Sequence, residues 1–258
     1  YAVTALARRG GGAAAGEPRR LGCEHLFLAA GSMGTTSLLV RARETGALPT
    51  LNAHVGQHWA ANGDHPVVRG ALPFTNAGTG GPAGHFILED LDNPFGPTSL
   101  VELVLPPHFN AALGAVGAPP YFGNYALLGI PPAIGSFSYD AETDAVTLNW
   151  PGSDPRLSNF LASAQRTLGV LDQRNGSLTL SFNPLVSAHP LGGAVLGKAC
   201  DLRGRLKGQA GLYVVDGALI EGSTAVANPS FTIAALAERC MDRLIPRLDD
   251  ASGNDEDE

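Results

Sequence analysis

Seven short apolar runs lie between residues 66 and 185, at 67–72, 86–88, 100–105, 125–130, 136–139, 145–150 and 177–182. Pro, Gly, Asn or Asp separates each from the next. Runs of this length, punctuated this way, are strands and not helices, and close spacing favours antiparallel pairing. The spacing therefore predicts a large, mostly antiparallel sheet. The stretch from Tyr139 to Leu148 reads as a hairpin. Residues 157–171 have helical apolar spacing, and Asn175-Gly176 predicts a turn after them.

The flanks read differently. Residues 24–30 form a short apolar strand that Gly31-Ser32 turns. Thr35 or Thr36 can start a helix through Leu38, Leu39 and Arg43, which Gly46 closes. A strand, a glycine turn and a helix make half of a nucleotide-binding unit. Gly211-Leu212-Tyr213-Val214-Val215-Asp216-Gly217 is a second buried strand, ending in Asp-Gly. Asn228-Pro229 opens a last helix over about 230–248, with Asn228 or Ser230 as its cap. Its apolar face is Ile233, Leu236, Ala237, Cys240 and Leu244. The fold class is mixed, α/β at the flanks and α+β in the middle.

A chain of 258 residues can bury a sizeable core in one or two domains. The net charge of −7 is concentrated at the end, where six acids occupy the last ten residues. The rest is near neutral, which gives no basic face for nucleic acid, and the tail is expected to be solvated. Cys23, Cys200 and Cys240 are odd in number and lack metal-ligand spacing. No apolar run approaches the roughly 18–20 residues of a membrane helix, so a soluble protein is expected, its compartment open.

His189, in Ala188-His189-Pro190-Leu191-Gly192-Gly193, and Asn228 are the candidate chemistry. An imidazole can take the proton of a hydroxyl while a carboxamide holds its oxygen. Glu102 is a third candidate, because it interrupts an otherwise apolar strand and a buried carboxylate needs a partner. It reads equally as a solvent-facing residue of an edge strand. His54, His58 and His65, near Asp64, lack regular ligand spacing, so no metal site is predicted.

These same segments resemble the glucose-methanol-choline (GMC) oxidoreductases, and most closely their bacterial cholesterol oxidase branch. The likeness runs through 189–193, the strand to Asp216-Gly217, and 228–239, with Gly31 to Leu39 similar to a second signature segment. It covers nearly the whole chain and is strongest over 21–65 and 186–245. It implies part of a Rossmann-like FAD-binding domain (1–58, resumed at 204–248), a substrate domain at 59–203, and an acidic tail at 249–258. It implies FAD held by Gly31, Ser32, Asn62, Gly63, Asp216, Gly217, Asn228, Pro229 and Phe231. His189 and Asn228 would act on a substrate hydroxyl, and Glu102 would serve as a base for isomerisation.

The family's Gly-x-Gly-x-x-Gly turn has no convincing counterpart here. Gly10-Gly11-Gly12 and the glycines of 78–81 do not lie between a strand and a helix. The resemblance therefore implies a partner, an N-terminal chain, separate or cleaved, that carries that motif. The expected substrate is a bulky apolar alcohol or sterol, in a bacterial cytoplasm or outside the cell. Ala188, Ala194 and the segments of 66–130 depart from the pattern, which bears on the steroid more than on the alcohol chemistry. Two other readings stand beside it. One is isomerisation, dehydration or cyclisation of a polyketide- or terpenoid-like metabolite on a flavoprotein scaffold. The other is a non-catalytic subunit.

Overall fold

The computed structural model describes residues 1–6, 17–71, 87–103, 123–182 and 187–249. The acidic tail from 250 onward and the glycines of 10–16 and 78–81 lie outside the described residues. The chain opens with an antiparallel pair, β1 (Ala2–Ala5) and β2 (Arg19–Gly22), both exposed. Then come β3 (Leu26–Leu28) and helix α1 (Gly31–Glu44).

The expected sheet is present. β4 (His65–Gly70), β5 (Ile87–Asp90), β6 (Thr98–Leu103), β7 (Gly123–Leu128) and β10 (Leu178–Phe182) form five antiparallel strands in the order β10-β4-β7-β6-β5. The two remaining runs leave it: β8 (Ser136–Asp140) and β9 (Ala145–Asn149) form a separate hairpin. The hairpin is held elsewhere because Phe137 N–H donates to Gly56 O at 2.7 Å and the Phe137 side chain is buried in the larger core with Val40 and Trp59.

Helix α2 (Ser158–Asn175) covers one face of the sheet. Val67, Leu100 and Leu127 from the strands pack there against Ala164 and Leu168. Burying each such aliphatic side chain stabilises the fold by about 1.5–3 kcal/mol. The expected Asn175-Gly176 turn is the end of this helix, where Gly176 takes the left-handed conformation (φ 62°).

The second core lies under α1. Leu39, Val40, Val55 and Trp59 meet Leu206, Leu219 and Cys240 there. β11 (Leu212–Val214) pairs with β3 in parallel, in register Leu212 with Leu26 to Val214 with Leu28. The last helix, α3 (Ser230–Asp249), presents Cys240 and Leu244 to the interior. All three cysteines are free thiols; Cys200 and Cys240 are buried, and burial pushes both thiols up. Among the described residues no helix is long and apolar enough to cross a membrane.

Candidate active site

The His189 segment lies against the loop before β4 and the N-terminal half of α1. Ala60 and Leu191 exchange backbone hydrogen bonds at 3.1 and 3.0 Å. Two glycines permit this approach. Gly192 and Gly193 have φ of 93° and 105°. A Cβ on Gly192 would stand 2.1 Å from His58 O, and one on Gly193 would stand 2.0 Å from Thr36 Oγ1. Ser32 Oγ donates to Gly192 O at 2.8 Å, so α1 clamps the turn from the other side.

His189 itself is fixed at three atoms. Its Nδ1 lies 2.9 Å from Asp64 Oδ1, its backbone N–H donates to Asp64 Oδ2 at 3.0 Å, and its Nε2 lies 3.0 Å from Asn228 Nδ2. Asp64 Oδ2 also accepts from Ala188 N–H at 2.8 Å and Ser187 Oγ at 3.0 Å. The expected His–Asn meeting is therefore present, and a buried carboxylate, unforeseen in this role, completes a row of three.

Asn228 is delivered by a loop that departs from ordinary backbone. Ala225 and Val226 have φ of 56° and 61°, a region that costs a β-branched residue about 1–3 kcal/mol. Several bonds hold the loop there. Asn62 Nδ2 donates to Ala227 O at 2.9 Å, Thr224 N–H donates to Asn62 Oδ1 at 2.8 Å, and Ser99 Oγ donates to Val226 O at 2.6 Å. Asn228 Oδ1 accepts from Ser230 N–H at 3.0 Å and Ser230 Oγ at 2.7 Å, which directs its NH2 toward His189.

The other expected site residues divide. Gly217 lies at the centre, its carbonyl accepting from Gly192 N–H at 3.0 Å. A Cβ on it would reach Ile233 Cδ1 at 3.2 Å and Pro190 O at 3.4 Å. Asp216 is buried, and its carboxylate accepts from Thr35 Oγ1 at 2.5 Å and Ala218 N–H at 2.8 Å. Burial raises its pKa against those bonds. Its side chain joins α1 to the strand end. Pro229 is buried, whereas Phe231 is 85% exposed at the start of α3. Gly31 is exposed, with open space where a Cβ would be.

Asn62, Gly63 and Glu102 stand apart from the exposed edge. Asn62 is fully buried, and its amide holds the loop before Asn228. Gly63 is enclosed: a Cβ there would stand 2.5 Å from Gly129 backbone atoms. Both support the site from beneath. Glu102 shares the face of β6 with Thr98 and Leu100, the face that α2 covers, because strand side chains alternate. Ser99, on the opposite face, is the residue that meets the Asn228 loop. Glu102 pairs in register with Tyr125, away from His189.

The remaining histidines do not converge. His54 Nδ1 and His58 Nε2 are 3.3 Å apart in a loop, and Lys198 Nζ lies 3.3 Å from His58 Nδ1. Burial and then Lys198 push the His58 imidazole down. His65 is buried in β4, its Nδ1 donating to Asp64 O at 2.7 Å, and burial pushes it down to about 4. Among the described residues no three His, Cys, Asp or Glu are arranged to hold a metal.

Residues 171–237, which contain His189, Asp216 and Asn228, match the C-terminal family model of the GMC oxidoreductases. Over those residues the chain is similar to the C-terminal domain of a GMC oxidoreductase. Cholesterol oxidases of two Mycobacterium tuberculosis strains, CDC 1551 / Oshkosh and ATCC 25618 / H37Rv, are each 49% identical over 63 residues. That match is 22% of this chain and 11% of each relative. The GMC resemblance extends to solved structures. Pyridoxine 4-oxidase from Mesorbium loti superposes with a TM-score of 0.56 at 16% identity, over 95% of this chain and 54% of the other. An FAD-dependent oxidoreductase from Chaetomium thermophilum gives 0.56 at 15%, over 90% and 57%. At these identities the structural matches establish the fold alone. The chain spans about half the length of the solved relatives.

Proposed function

We propose that this chain supplies the hydroxyl-binding half of an FAD-dependent alcohol oxidase or dehydrogenase. The observation that carries the reading is the 3.0 Å approach of Asn228 Nδ2 to His189 Nε2 at an exposed edge. A substrate oxygen entering between them would replace one bond by two, accepting from Asn228 and donating to His189 Nε2. His189 then takes the hydroxyl proton while Asn228 holds the oxygen in place.

The residues around that edge fit a flavin. Gly31 leaves the start of α1 open, Gly217 packs tightly beside Ile233 and Pro190, and Phe231 presents an uncovered ring next to Asn228. The backbone of Gly31, Ser32, Gly217 and 228–231 would hold the group. Bound FAD would accept the hydride from the carbinol carbon. The positive end of α3 beside Asn228 favours negative charge there.

The pyrophosphate-binding turn would come from an N-terminal segment, on this polypeptide or another. The parallel pair of β3 and β11, two strands among the described residues, supports this, since parallel sheets are normally larger and covered on both faces. The cholesterol oxidase relatives support a bulky apolar alcohol or sterol as substrate. Glu102, on the α2-covered face, gives no support to an isomerisation step, so the reading is confined to oxidation of the alcohol.

Anaerobic mixing of the intact protein with sterols and long-chain alcohols tests this. The expected result is bleaching of the flavin spectrum, slowed about 10²–10⁴-fold by His189→Gln. Product without bleaching would point to the isomerase or cyclase reading. A flavin that no alcohol of either class reduces would overturn the proposal.

A further inference from the structure

We propose that Asp64 is a positioning residue that sets the tautomer of His189, keeping the ring proton on Nδ1 so that Nε2 is free to accept. The inference rests on the reading above for its consequence in catalysis, but its geometry stands alone. Asp64 is 4% exposed, and its Oδ2 already accepts from Ala188 N–H, His189 N–H and Ser187 Oγ. A carboxylate so supplied has one oxygen left, and Oδ1 lies 2.9 Å from His189 Nδ1. An ionised carboxylate only accepts, so Nδ1 must donate.

The other end of the ring requires the same assignment. Asn228 Oδ1 is committed to Ser230 N–H and Oγ, which leaves Nδ2 facing His189 Nε2. An NH2 group only donates, so Nε2 must accept. Two independent sets of partners, far apart in sequence, thus select one tautomer.

Asp64→Asn reverses it with almost no change of shape. Two backbone N–H groups claim the Oδ2 position, so the amide oxygen must occupy it. The amide NH2 then faces Nδ1 and donates to it. The ring proton moves to Nε2, where it opposes the Asn228 NH2 and cannot receive a proton from a substrate. In a Ser-His-Asp triad an Asp→Asn change that leaves the geometry intact but selects the wrong tautomer lowers kcat by about 10⁴-fold, and a large fall is expected here. Asp64 does not touch the hydroxyl, so the loss falls on kcat, with KM little changed.

The test is 15N NMR of the intact protein labelled at histidine, with His189→Gln to assign the signals. The expected wild-type spectrum has a protonated Nδ1 and a bare Nε2 on His189, and Asp64→Asn exchanges the two. A wild-type ring protonated at Nε2 overturns the inference, even if the variant fails to fold. So does a folded Asp64→Asn that leaves the tautomer unchanged. If the tautomers behave as expected and no alcohol bleaches the flavin, the proposed function fails while the role of Asp64 stands.

Discussion

The sheet with its covering helix and the parallel β3–β11 pair with α1 and α3 are closed in different ways. In the first, the apolar face of five strands meets α2, and polar side chains bond between strand and helix. Arg69, 4% exposed, donates to Asp172 at 3.0 Å and to Ser177 Oγ at 2.5 Å. Thr98 and Thr167 share a hydrogen bond at 2.8 Å between strand and helix. In the second, two strands pair among the described residues, β3 is half-buried, and Met33, Leu38 and Phe231 are exposed at 38, 53 and 85%. The closed region supplies stability. The open one supplies residues whose surfaces are left for something else to cover. The loops carrying Asp64, His189 and Asn228 stand where the two regions meet.

Substitutions can break this contrast. The largest effect is expected from Arg69→Ala, which leaves Asp172 without its guanidinium in a largely dry setting. It should cost about 3–5 kcal/mol in urea unfolding, yet leave the His189 tautomer unchanged. A tautomer shift in that variant would mean that the two regions are not independent.

Next comes pH. The folded state holds the His65 imidazole near 4, below its ordinary 6.5. Its contribution is fully present above about pH 6.5 and is lost as pH falls toward 4, because the unfolded chain binds the proton first. Between pH 7 and pH 4 the wild type should lose about 3 kcal/mol more than His65→Gln does. Parallel unfolding curves for the two proteins would show that burial of this ring is not what opposes its protonation.

The smallest effect on folding belongs to Phe231→Ser. An exposed side chain contributes little, so stability should change by no more than about 0.5 kcal/mol. Flavin retention by the intact protein should nonetheless fall, which a gel-filtration absorbance ratio would report. Unaltered flavin content would remove Phe231 from the cofactor surface.

Much of this contrast is legible in the order of residues. The short apolar runs and the Pro, Gly, Asn and Asp breaks mark all five strands of the sheet within a few residues. Helix α1 shows where local reading fails. It starts at Gly31, four residues before the expected Thr35, and its cap residue Ala30 makes no side-chain capping bond. Thr35 lies inside the helix, where its Oγ1 accepts from Ala30 N–H at 3.1 Å and donates to Asp216, 181 residues away. Glu102 fails for another reason. Both faces of β6 carry apolar residues, so alternation marks two faces without saying which meets α2 and which meets the Asn228 loop. Asp64 sat in plain view beside His65, but its partner His189 lies 125 residues further on.

What the sequence determined by itself is local: strand and helix periods, the glycines that let Gly192 and Gly193 approach a neighbouring backbone, and the residue types able to handle a hydroxyl. Those follow from backbone sterics and side-chain chemistry, which act over a few residues. Tertiary structure alone decided direction and partnership. It turned Asn62 inward to hold a loop, put Glu102 under a helix, and brought one oxygen of Asp64 to Nδ1 of His189. A hydrogen bond forms only where folding brings donor and acceptor within about 3 Å, and no spacing along the chain encodes that distance.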